Sequence, residues 1–212
     1  LGNGSDEVLA LTFLTFFNGK EPVLFPNISY SFYPVYCDLY QMSYKEVLLD
    51  QDFKINVEDF KQPNSGIIFP NPNAPTGLLV SLDFIEEVLK SNPDSIVVVD
   101  EAYIDFGGQT CVPLIDKYDN LVVIQTFSKS RSFAGARLGV ALGNKEAISN
   151  LYDVKNSFNS YPVDYITQQI GLASVLDSQD MKEKCQKVIK TREYTKTKLK
   201  ELGFVVPDSY AN

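Results

Sequence analysis

The sequence predicts an α/β fold with a parallel sheet covered on both sides. Two observations carry this. Short runs rich in Val, Ile and Phe alternate with stretches of helical character, and those runs are apolar at successive positions, so both of their faces are buried. No internal repeat and no low-complexity linker interrupts the alternation.

Taken in order, Gly4 and Ser5 lead into a helix with Asp6 and Glu7 in its first turn. Acidic side chains there complement the free amides and the dipole of the helix start. Val8, Leu9, Leu11, Phe13, Leu14, Phe16 and Phe17 make this helix apolar nearly all round, which predicts burial. Strands are expected at 21–27 (EPVLFPN), 66–72 (GIIFPNP), 95–103 (SIVVVDEAY), 120–127 (NLVVIQTF) and 137–143 (RLGVALG). Ser81 is placed to cap a helix carrying Leu82, Ile85, Val88 and Leu89 on one face and stopped by Asn92 and Pro93. Residues 163–177 and 179–202 read as two further helices, the second long, lysine-rich and ended by Gly203. A long charged helix of this kind commonly connects domains. The closing GFVVPDSYAN reads as the start of a strand-like element, and position 1 is Leu rather than Met, so the expectation is a piece of a longer protein.

Length and composition narrow the chemistry. The 212 residues, with 44% apolar content, are enough for a sizeable core. There are 27 acidic and 19 basic residues, and the net charge of −8 disfavours nucleic acid as a partner, because phosphate backbones need a basic footprint. Cys37, Cys111 and Cys185 are far apart and odd in number, which suggests buried small residues rather than a disulfide framework or a zinc site. No apolar run approaches the ~20 residues of a membrane span and no signal-peptide pattern opens the chain, so the expected setting is cytoplasmic. The absence of histidine excludes Ser-His-Asp and Cys-His pairs and histidine-bound zinc.

In open α/β sheets ligands bind at the carboxyl ends of the strands. Four segments end apolar runs or open helices with polar residues: GNGSDE, FPNPNAPTG, VVVDEAY and QTFSKSRSFAGAR. Singly, each is explained by a turn, a cap or a solvated strand end. Together they fit one kind of site. A strand-end lysine in a partly desolvated pocket, Lys129, can lose its proton and form a Schiff base; Arg137 offers a bidentate fork to phosphate; the GNGSDE segment presents a helix N-terminus to the same anion; and Asp100 can keep a pyridine nitrogen protonated. These are the groups that pyridoxal phosphate requires.

On YSFYPVY, NPNAPTG, DEAY and FSKSRSFAGARLG, in that order, the chain resembles the fold-type I pyridoxal-phosphate aminotransferases of class I/II, and within them the histidinol-phosphate aminotransferases. The resemblance spans essentially the whole sequence. It implies a three-layer α/β/α fold with a mostly parallel sheet, formed by a large cofactor domain at 1–178 that lacks its N-terminal part. A connecting helix at 179–203 and the start of a truncated small domain at 204–212 would follow.

The resemblance also implies roles for individual residues. Lys129 would hold the cofactor covalently and then shuttle the substrate's proton. Asp100 would pair with the ring nitrogen, Tyr103 would bond the ring's phenolic oxygen, and Tyr30 would stack on the ring. Ser5, Asp6, Thr126, Ser128 and Arg137 would form the phosphate cup, with Ala134, Gly135 and Ala136 letting the backbone turn close to it. Relatives carry Asn directly before Pro-Thr-Gly, where this chain has Ala74; either Asn73, one place earlier, reaches the ring through a shifted turn, or Tyr103 carries that contact alone. The implied reaction is transamination of L-histidinol phosphate with 2-oxoglutarate in histidine biosynthesis, by a homodimer. Lys129, Asp100 and Arg137 would also serve a threonine-phosphate decarboxylase or an aromatic amino-acid aminotransferase, whereas the intact Lys129, Asp100, Tyr103 and Arg137 argue against the further alternative, a non-catalytic sensing domain. The residues that grip the substrate's carboxylate or phosphate are expected outside these 212.

Overall fold

The computed structural model describes residues 1–212, with every side chain except that of Phe158. A seven-stranded sheet contains β1 (Gly2–Asn3), β2 (Val23–Pro26), β3 (Tyr44–Val47), β4 (Gly66–Pro70), β5 (Val97–Asp100), β6 (Leu121–Thr126) and β7 (Leu138–Gly143) in the spatial order β1-β7-β6-β5-β4-β2-β3. The helices are α1 (Gly4–Phe16), α2 (Phe32–Leu39), α3 (Leu82–Ser91), α4 (Lys145–Phe158), α5 (Tyr165–Leu176) and α6 (Ser178–Glu201). Strand pairings from β3 through β2, β4 and β5 to β6 are parallel.

The apolar runs form strands because each is buried on two sides. Alternate residues point to opposite faces. Val23, Phe25, Ile68, Val98, Val122 and Ile124 pack under α1, α2 and α4 through Val8, Leu9, Phe13, Tyr33, Tyr36, Cys37 and Ala147. Leu24, Ile67, Phe69, Val97, Val99, Leu121 and Val123 pack on the other face against Ile85, Val88 and Leu89 of α3 and two short 3-10 turns. The result is the expected three-layer α/β/α arrangement. The three cysteines are buried and free among the described residues, and burial pushes the Cys37 thiol up to about 12.

Local signals account for most helix limits. Ser81 accepts the Phe84 amide at 3.2 Å, and Asp164 and Asp177 cap α5 and α6 in the same way. Four of the labelled strands and helices carry no apolar run and are not expected from the sequence: β1, a two-residue strand; β3, an edge strand of mostly exposed residues; α2, whose inward face is largely tyrosine; and α4, capped by Asn144 through the Ala147 amide at 2.7 Å. The chain after α6 departs from expectation, forming no strand over 204–212. Pro207 lacks a donor, and the segment instead folds back, the Tyr210 amide donating to the Gly77 carbonyl at 2.7 Å and Arg192 to the Ala211 carbonyl at 2.6 Å.

One pairing matters for the site. β7 runs antiparallel to β6, with Thr126 opposite Gly139. Residues 127–137 are too few for a parallel crossover, which needs a dozen or more. The reversal returns Arg137 to the edge where β4, β5 and β6 end, and β1, antiparallel to β7, delivers the start of α1 to the same edge.

Candidate active site

Asp100 and Glu101 are adjacent in sequence and have opposite fates. Asp100 continues the face of Val98 and looks towards α1 and α2, where Tyr33 Oη donates to its Oδ2 at 3.0 Å and the Ala102 amide to its Oδ1 at 3.2 Å. Glu101 turns to the other face, accepting from Thr110 Oγ1 at 2.6 Å, the Cys111 amide at 2.7 Å and Gln125 Nε2 at 2.8 Å. One carboxylate is thus fully engaged in holding loops, while the other opens on a cavity. Burial raises the Asp100 carboxyl from 3.8 to about 6, against the pull of its two hydrogen bonds and with a further push from Asp6 and Glu101. Such a group is completed by a cation or a donated proton.

The cavity beside Asp100 is walled by the ends of the parallel strands and the start of α1. Ser5 and Asp6 line it from the helix, Tyr30 from the turn after β2, Tyr103 from the turn after β5, and Ser128, Lys129 and Arg137 from the segment after β6. Close approach of α1 to β7 makes this possible. Gly4 has φ +76°, and a Cβ there would strike the Arg137 guanidinium; a Cβ on Gly139 would lie 2.5 Å from the Ser5 amide nitrogen. Arg137 itself is left-handed at φ 54°, a conformation uncommon outside glycine and concentrated at functional sites. Its Nη2 meets Asp6 Oδ2 at 2.9 Å, and Tyr30 Oη donates to Asp6 Oδ1 at 3.0 Å. The ion pair is half exposed, so it contributes position more than stability.

The remaining predicted residues are distributed around this cavity. Lys129 is exposed at its mouth, with Nζ 5.2 Å from the Tyr103 ring centroid. A partly desolvated setting was expected; three residues past the end of β6, the side chain extends beyond the covering layers. Thr126 is buried behind Ser128, donating to its Oγ at 3.0 Å and accepting its amide at 3.2 Å, so it orients the loop. Tyr30 lies nearly parallel to Phe32, with ring centroids 5.6 Å apart. Asn73 is turned away. Its Nδ2 donates to the Ile28 carbonyl and to Thr76 Oγ1, each at 2.9 Å, while Ala74 lines the cavity in its place. The turn that carries NPNAPTG fixes that orientation from within, through the Asn73 amide to Leu78 and the Gly77 amide to Asn73.

Two residues of this neighbourhood had no assigned role in the sequence. Glu101 gave no signal separating it from Asp100, because both faces of β5 are apolar. Tyr33 did carry one: Tyr30, Tyr33 and Tyr36 recur every three residues, which puts them on one side of α2 and its leading turn. All three phenols reach carboxylate or carbonyl oxygens of Asp6 and Asp100.

Comparison with known proteins agrees with this geometry. The profile of the family "Aminotransferase class I and II" matches residues 1–212. Over all 212 residues the chain is 60% identical to a histidinol-phosphate aminotransferase of Lactococcus lactis subsp. lactis, covering 59% of that protein, and 55% identical to one of Pseudomonas fluorescens, covering 61%. Among solved structures, the histidinol-phosphate aminotransferase of Clostridium acetobutylicum superposes with a TM-score of 0.89 at 25% identity, over 100% of this chain and 64% of that one. The Sinorhizobium meliloti enzyme in complex with pyridoxal-5'-phosphate gives 0.85 at 20% identity, over 100% and 59%. The chain spans about 60% of the length of the curated relatives it matches. A strand-edge cavity walled by a helix start, a buried aspartate, a lysine and a left-handed arginine, with a family match along the whole sequence, places this chain in the aminotransferase class I and II family.

Proposed function

We propose that the chain is the cofactor-binding part of a pyridoxal-phosphate-dependent aminotransferase that converts L-histidinol phosphate with 2-oxoglutarate, in histidine biosynthesis and in the cytoplasm. The observation that carries this reading is the convergence of Asp100, Lys129 and Arg137 on one cavity. The 55–60% identity to proteins named histidinol-phosphate aminotransferase supports the choice of substrate.

The residues present fit the cofactor. A buried carboxylate raised to about 6 suits a protonated ring nitrogen, and a helix N-terminus beside an arginine and two serines suits a phosphate. When bound, pyridoxal phosphate supplies an aldehyde for the amine and an electron-poor ring that takes up charge as the α proton leaves. Arg137, Ser5, Ser128 and the first amides of α1 would hold the phosphate; Asp100 would keep the proton on the ring nitrogen; the Tyr103 hydroxyl would orient the phenolic oxygen. Lys129 Nζ would hold the aldehyde, then take the proton from the substrate's α carbon and pass it on to the cofactor. Residues 1–178 form the large domain in this reading, 179–203 the connecting helix and 204–212 the beginning of a small domain. Two copies pair as a homodimer, and the groups that grip the substrate come from outside this chain.

The test is direct. The purified full-length protein changes its visible absorbance on addition of L-histidinol phosphate and forms glutamate from 2-oxoglutarate. Lys129→Ala removes the absorbance of the lysine-bound cofactor. A response to threonine phosphate or tyrosine in place of histidinol phosphate overturns the substrate, and an unchanged spectrum in Lys129→Ala overturns the assignment.

A further inference from the structure

We propose that Tyr33 is a positioning residue for Asp100: its buried phenol fixes one carboxylate oxygen and keeps the group ionised for the cofactor's ring nitrogen. The inference rests on the reading above, in which Asp100 faces that nitrogen. Tyr33 is 0% exposed although its hydroxyl needs a partner, and that partner is Asp100 Oδ2 at 3.0 Å, 67 positions away in sequence. The backbone amide of Ala102 takes the other oxygen at 3.2 Å. Each oxygen then has one donor and one lone pair still free, and the plane of the carboxylate is set from two sides.

The phenol is well placed for this task. Its ring is held by Phe13, Phe25 and Tyr30 at centroid distances of 6.1, 5.8 and 5.6 Å. Burial, followed by the charge of Asp100, pushes its own ionisation well above the ordinary range, so it remains a donor at every working pH. The other charged or titratable groups around Asp100 are Asp6 from α1, Glu101 from the end of β5, Tyr30 and Tyr36 from the α2 side, Tyr103 from the turn after β5, and Lys129 and Arg137 on the cavity wall after β6. Asp6 and Glu101 oppose ionisation of Asp100, and Tyr33 and the Ala102 amide are the groups that favour it by hydrogen bonding.

Tyr33→Phe removes the hydroxyl and keeps the ring. The probe is pyridoxamine phosphate, which binds without a bond to Lys129; its dissociation constant is measured from pH 5 to pH 8 on the full-length protein, its Tyr33→Phe variant and its Asp100→Asn variant. In the unsubstituted protein the affinity falls on the acid side as Asp100 takes up a proton. Tyr33→Phe moves that limb upward by about one pH unit, roughly the worth of a hydrogen bond to a charged group, which weakens binding about fivefold at pH 6 and hardly at pH 8. Carbon NMR titration of the aspartate carboxyls in the cofactor-free protein reads the same shift. An unmoved limb, or an equal loss of affinity at every pH, assigns Tyr33 to packing alone and overturns the proposal. An acid limb that persists unchanged in Asp100→Asn overturns instead the pairing of Asp100 with the ring nitrogen.

Discussion

Replacing Asp100 by Asn should stabilise the cofactor-free protein while disabling it. Asp100 is only 5% exposed, and its carboxyl is raised from 3.8 to about 6, so folding is opposed wherever the unfolded chain is ionised. The associated stability is present in full below pH 3.8 and is lost as pH rises through about 6. Linkage over that gap gives a cost of about 3 kcal/mol at pH 8 and roughly half of that at pH 5. Asn removes this cost and retains an acceptor for either Tyr33 or the Ala102 amide. Losing the other bond returns about 1 kcal/mol, leaving a net gain of about 2 kcal/mol at pH 8 that shrinks to below 1 at pH 5. Urea unfolding of the cofactor-free protein and the variant at both pH values measures the difference. Pyridoxal phosphate reverses the order, because it stabilises the native protein by binding and the variant binds it poorly. A stability difference that does not change between pH 5 and pH 8 would refute the argument, since it would place the cost of Asp100 elsewhere than in its buried charge.

Two further perturbations probe the frame around the site. Gly139→Ala inserts a methyl 2.5 Å from the Gly4 carbonyl oxygen and the Ser5 amide nitrogen, which should cost about 1–3 kcal/mol by overpacking and weaken pyridoxal phosphate as α1 is pushed off β7; unfolding and cofactor titration report the two effects. Glu101→Gln brings an amide group against Thr110, the Cys111 amide and Gln125, so one buried donor loses its acceptor at a cost of about 1–3 kcal/mol, while cofactor affinity holds because the side chain lies on the opposite face from the cavity. Equal unfolding midpoints would count against that network.

The sequence by itself determined where the strands of the inner sheet lie, because the runs around Val23, Ile67, Val97 and Leu121 are apolar at every position and have nowhere to go but a doubly covered sheet. It also determined the helix starts at Ser81 and α1, where capping and first-turn charge are local effects, and the segments that carry the site. Tertiary structure decided the rest. A run that is apolar on both faces gives no phase, so only packing against α2 turns Asp100 to the cavity and Glu101 away from it. The reversal of β7, the orientation of Asn73 and the contact between Tyr33 and Asp100 depend on partners 13 to 67 positions distant, such as Gly139 opposite Thr126. Local preference acts over a few residues and hydrogen bonds across a sheet do not; the chemistry at this strand edge is therefore written in nearby residues but assembled by distant ones.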